Sequence, residues 1–153
     1  VKQIPAGGEG KISVTVPTQG YGGGMIRESV RIITNDEMQP GLSVTVTGHV
    51  EKFAAIEPER VRLIGKIGEP VMTAVKIVPR DDHPFRIENV QAMIGKYIDL
   101  RLEEQKSGKR STYVLMVGNT KNDPGQYNDR IILKTGSAIC PELQISVYGR
   151  IDE

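Results

Sequence analysis

Tryptophan is absent, cysteine occurs once, and aromatic residues make up only 5% of the chain. With Cys140 alone, no intrachain disulfide can form and a zinc site of several cysteines is excluded, which rules out a disulfide-stapled mini-fold. An excess of one charge is missing too: 20 Lys and Arg stand against 19 Asp and Glu, a formal net charge of +1. That balance supplies no global field to gather nucleic acid or an anionic membrane, so a charged partner must be held by a local patch. No apolar run approaches the roughly 20 residues of a membrane-spanning helix, and the opening VKQIPAGGEG lacks the apolar region of a signal peptide. Neither nucleic-acid binding nor membrane insertion is expected of this segment.

What is present is alternation. In "ISVTV", "SVRIIT" and "LSVTVTG" apolar residues, mostly β-branched, recur at a spacing of two, the pattern of half-buried strands. The intervening "PTQGYGGG", "TNDEMQPG" and "NTKNDPGQ" are rich in turn formers, and Pro124-Gly125 suits a type II turn. No stretch combines a helical period with caps, and "IENVQAMIG" reads as a strand and turn.

Slid against itself by 101 positions, the chain aligns residues 11–51 with 112–152 without a gap, Thr34 meeting Thr135, Pro40 Pro141, Leu42 Leu143 and Gly48 Gly149. The apolar pattern follows: Ile12, Val14, Val16, Val30, Ile32, Leu42, Val44 and Val46 fall on Tyr113, Leu115, Val117, Ile131, Leu133, Leu143, Ile145 and Val147. A repeat of this length makes residues 52–153 one complete module and residues 1–51 the C-terminal half of a preceding one. Within the complete module, strands are expected near 54–56, 61–65, 71–78, 85–90, 98–103, 112–117, 129–134 and 143–151. So many short strands, with a turn signal every 8 to 12 or so residues, predict an all-β, immunoglobulin-like antiparallel β-sandwich. The half module would leave an inner apolar face, including Val14, Ile32, Val44 and Val46, without its opposing sheet. It is therefore expected to associate, by homodimer formation through that half or by exchange of strands.

"IPAGGEGKISV" from Ile4 to Val14, the Gly-rich "GYGGG" and the finish from Thr34 to Val50 together resemble a bacterial family of immunoglobulin-like domains of unknown function, related to Hydin and major-sperm-protein modules. The resemblance covers residues 4–50 well and the second module loosely, where Asn35-Asp36 is replaced by Gly136-Ser137. It implies a periplasmic or cell-envelope protein without an assigned activity. The CGC-like motif of the family is missing from the second module, so no metal or redox role is carried over.

Individual candidates have plain structural readings. "GYGGG", Gly20 to Gly24, lacks the Gly-Lys-Ser/Thr ending and following helix of a phosphate loop and reads as a hairpin turn. "DDHPF", Asp81 to Phe85, sets two carboxylates beside a histidine but reads as a solvated turn before proline. Cys140 has no base near it in sequence and reads as an inert thiol, and "QKSGKR", Gln105 to Arg110, as a charged hairpin loop. Oxygen ligands for calcium could come from Asn122, Asp123 and Asp129, although their spacing matches no EF-hand. With no nucleophile, base and orienting group to name, no enzymatic activity and no cofactor are expected. The expected function is a non-enzymatic structural or protein-interaction module of a tandem array; the alternative is a ligand-binding module, with calcium at the loop 122–129.

Overall fold

A computed structural model of the chain describes residue 4 and residues 7–18, 20–107 and 110–153. The described residues form ten strands and no helix: β1 (Met25–Ile33), β2 (Gly41–His49), β3 (Ala54–Glu57), β4 (Arg60–Lys66), β5 (Met72–Pro79), β6 (Ile87–Ala92), β7 (Ile98–Ser107), β8 (Arg110–Asn119), β9 (Gly125–Thr135) and β10 (Glu142–Asp152). They belong to two compact units, Val1–Lys52 and Phe53–Glu153.

The second unit is a β-sandwich. One sheet has the order β4-β10-β9-β6 and the other β3-β5-β8-β7. Every ladder is antiparallel except β4–β10, which is parallel. The alternation legible in the sequence decides which side chains enter the core. Val61 and Leu63 of β4, Ile131 and Leu133 of β9 and Ile145 of β10 meet Val75 and Ile77 of β5 and Leu115 and Val117 of β8, all fully buried. Each such side chain contributes about 1.5–3 kcal/mol relative to exposure. Tyr113, deep in this core, satisfies its phenol by accepting the Ile87 N–H at 3.4 Å.

All eight strands expected of this unit form, and "IENVQAMIG" is strand β6 followed by a turn through Gly95. A strand expected at Ile12–Val16 does not form. Its repeat counterpart belongs to β8, whose ladder bonds are supplied by β5 and β7. No equivalents of those neighbours occur among the described residues of the first unit, and an extended segment without a partner gains no ladder.

The described residues of the first unit form a single hairpin, β1–β2, in which all nine residue pairs repeat those of β9–β10 at the same offset: Val30↔Val44 corresponds to Ile131↔Ile145, and Ile32↔Leu42 to Leu133↔Leu143. The connecting loops match as well. Thr34 Oγ1 donates to the Gln39 carbonyl at 2.6 Å, and Thr135 Oγ1 to that of Cys140. In the first loop the Asp36 carboxylate accepts the Gln39 N–H at 3.4 Å, and in the second the Ser137 hydroxyl accepts the Cys140 N–H at the same distance. The sequence change from Asn35-Asp36 to Gly136-Ser137 therefore preserves an acceptor where the loop needs one.

Candidate functional site

The groups singled out from the sequence are each engaged locally. Gly20 and Gly23 take φ of 87° and 83°, and Gly24 N–H donates to the Tyr21 carbonyl at 2.8 Å, so "GYGGG" is a turn. In "DDHPF", Asp82 accepts a bidentate pair of bonds from Arg80, at 2.9 and 2.7 Å, which holds its carboxyl below the usual value of 3.8. His83 stacks on Phe53 with ring centroids 4.8 Å apart, and Phe85 is buried. The Cys140 thiol is half-buried, donates to the Glu142 carbonyl at 3.5 Å, and is pushed up in pKa by burial, the opposite of what a nucleophile needs. Of "QKSGKR", positions 108 and 109 lie outside the described residues; the flanking strands meet with Ser107 opposite Arg110.

The three candidate calcium ligands have separate surroundings. Asn122 is exposed in the loop before β9. Asp123 pairs with Lys121. Asp129 lies within β9, where its oxygens accept the N–H groups of Ile94 and Gly95 at 3.0 and 2.9 Å and so pin the β6–β7 turn.

Lys121 is the feature that sequence reading missed. It looks like a surface residue in a polar turn, yet it is only 7% exposed. Its ammonium lies 4.7 Å from the centre of the Tyr97 ring and donates to Asp123. Tyr97 in turn leans on Tyr127 at 5.3 Å, and the Tyr127 phenol donates to Asn119 at 2.7 Å. Burial pushes that phenol up to about 12. The hydrogen bond from Lys121 lowers Asp123 below its ordinary 3.8. A depressed carboxylate stabilises the fold above its unfolded pKa, and that stabilisation disappears as pH falls through the folded value. Asp123→Asn, which also leaves a buried ammonium without its counter-ion, is therefore expected to lower the melting temperature at neutral pH and to flatten its fall below pH 3.8. Melting curves across the acid range check this; parallel curves for the two proteins would show that the pair contributes nothing.

The largest difference between the two hairpins is what covers them. Ile145 is 0% exposed beneath the opposing sheet, while its counterpart Val44 is 45% exposed; Leu42 is 44% exposed. Val30, Ile32 and Val46 are half-buried, whereas their counterparts Ile131, Leu133 and Val147 are at most 2% exposed. The opposite side of β1–β2 is polar between its ends, with Ser29 and Thr45 sharing a hydroxyl hydrogen bond at 3.2 Å, and carries exposed Met25 and Ile33 at the two ends of β1. The first unit thus has the apolar face of a sandwich core and, among the described residues of that unit, no sheet against it.

Among the described residues no helix is long and apolar enough to cross a membrane. No protein-family model matches the chain. No curated protein matches it either. Solved structures do: a protein of unknown function from Porphyromonas gingivalis W83 is similar over 90% of this chain and 70% of its own, with a TM-score of 0.51 and 13% identity. At that identity the likeness is one of fold alone, and the neighbour is itself a protein of unknown function.

Proposed function

We propose that the chain is a non-enzymatic structural and protein-interaction module of a tandem array of immunoglobulin-like sandwiches, in which the apolar face of β1–β2 receives a partner sheet. The observation that carries this reading is the shared register of β1–β2 and β9–β10 combined with their unequal cover. In the second unit this face is closed by the apolar side of β3-β5-β8-β7, so the fitting partner is a sheet with that chemistry: alternating Val, Ile and Leu on a twisted surface. The immunoglobulin-like part is supported by strand order. With β3 and β4 taken as two parts of one first strand, the sheets follow the order of a constant-type domain. The non-enzymatic part rests on the engagement of Cys140, Asp82 and His83 in contacts that hold loops in place. Placement in a bacterial periplasm or envelope rests on the sequence resemblance.

In the isolated chain, the apolar sheet available to β1–β2 is the same face of a second copy. Light scattering after size exclusion is expected to give a dimer for the whole chain and monomers for Val44→Asp and for residues 53–153. A wild-type chain that stays monomeric over the same concentrations rejects the face as a contact surface.

A further inference from the structure

We propose that the outward side of β4–β10–β9 is a docking surface for an acidic polypeptide segment, with Arg60 and Arg62 as its carboxylate-binding groups. This surface belongs to the second unit and is independent of the β1–β2 face. In these three strands the odd-numbered residues enter the core, Val61, Leu63, Ile131, Leu133, Ile145 and Val147 being at most 2% exposed, so the even-numbered ones face outward.

The registers place those outward residues in rows across the sheet. Arg60, Ser146 and Arg130 form one row, and Arg62, Tyr148 and Asn128 the next. The acidic residues of this side stand at its margins. Glu142 lies opposite Lys134, and Asp152 lies opposite Lys66 and pairs with Arg150 at 3.0 Å. In the centre no carboxylate neighbours the arginines on the ladder. Arg130 donates to the neutral Gln144 at 3.2 Å, and among the described residues no ion pair engages Arg60 or Arg62. A chain with almost balanced charge therefore concentrates unpaired guanidinium groups at one spot.

The surface dips there. A shallow depression of ≈ 610 Å³ is lined by Arg60, Arg62, Ile64, Asn128, Ser146 and Tyr148, among others. Its floor is low because Ser146 is the small residue in a row flanked by two arginines. Guanidinium forks take carboxylates in a bidentate fashion, while the Asn128 amide and Ser146 hydroxyl offer further donors and the Tyr148 ring an apolar wall. Two features favour polypeptide over a polyphosphate chain. Arg60 and Arg62 leave β4 on alternate residues, roughly 7 Å apart, the spacing of alternate side chains in an extended acidic segment. Tyr148 is the single aromatic residue on these outward rows and is half-buried, so there is no platform on which bases could stack.

The test is fluorescence anisotropy of the full chain with a labelled peptide of alternating glutamate and threonine at low salt. Binding is expected to weaken about tenfold or more in each of Arg60→Glu and Arg62→Glu. A loss of severalfold is expected in Arg62→Lys, which keeps the charge but not the fork. Arg101→Glu, on exposed β7 of the other sheet, is expected to leave binding within about twofold, which separates a local effect from net charge. All three sites are on exposed strand faces, and circular dichroism confirms that each of the four variants folds before titration. No binding of the peptide, or equal affinities for wild type and both charge reversals, overturns the proposal. So does tighter binding of an oligothymidine of equal charge, which reassigns the face to a polyanion.

Discussion

Gly149→Ala is expected to destabilise the second unit by about 2–4 kcal/mol, while Gly48→Ala, its repeat counterpart, is neutral or slightly stabilising. A methyl group at position 149 would lie 2.1 Å from two carbons of the Tyr127 ring and 2.6 Å from its hydroxyl. The ring cannot simply swing away. It is 8% exposed, its phenol donates to Asn119, and it leans on Tyr97, over which the Lys121 ammonium sits. Displacement would combine overpacking with the loss of a buried hydrogen bond. At Gly48 nothing lies within 4 Å of the added atom; Ile26 stands where the second unit has Tyr127, and among the described residues of the first unit no sheet opposes the face. Urea unfolding of the two variants, followed by tyrosine fluorescence and circular dichroism, measures the contrast. A Gly149→Ala midpoint equal to that of wild type would mean that the Tyr127 ring moves off β10 at no cost, contrary to the packing around it.

Ile145→Asp and Val44→Asp are the same exchange at equivalent rungs of two hairpins, and their outcomes are expected to diverge. Ile145 is completely buried among Ile131, Leu133 and the side chains of the opposing sheet, so a carboxylate there loses its water without gaining a partner. The cost is on the order of 4 kcal/mol or more, enough to unfold a unit of ordinary stability. Val44 is 45% exposed, and its replacement leaves the hairpin hydrated; the expected change in stability is within about 1 kcal/mol. What Val44→Asp removes is association. Circular dichroism and light scattering on both variants separate the two effects. If Val44→Asp unfolds the second unit as well, the two units are not independent in stability.

Most of the strand pattern could be read from the sequence because it is local. Val61 and Leu63, or Ile145 and Val147, alternate with polar residues between turn formers, and that is enough to place a half-buried strand. The strand expected at Ile12–Val16 has the same alternation, and it failed because a ladder needs neighbours that alternation does not supply. Lys121 was illegible for a related reason. Its cover comes from Tyr97, a residue of a different turn, and "NTKND" by itself describes any polar loop. The arginine-lined depression could have been assembled from even-numbered residues of three strands. What was missing was the knowledge that β4, distant in sequence, lies in parallel beside β10. The candidate carboxylates were misleading in the same way, since Asp129 looks like a loop ligand until β9 is seen to begin at Gly125.

The parallel pairing of β4 with β10 also sets how the second unit bears mechanical load. Tension applied between Phe53 and Glu153 first meets the short ladder of β3 against β5. Beyond it the pull reaches β4 from its start and β10 from its end, in opposite directions along strands that run side by side. The seven paired positions from Arg60↔Ser146 to Asp152↔Lys66 are then sheared together, rather than peeled apart one after another as in a hairpin pulled at its open end. In a chain of such units under tension, this ladder would hold the first and last strands of the module together, and its rupture would set the force at which the module extends.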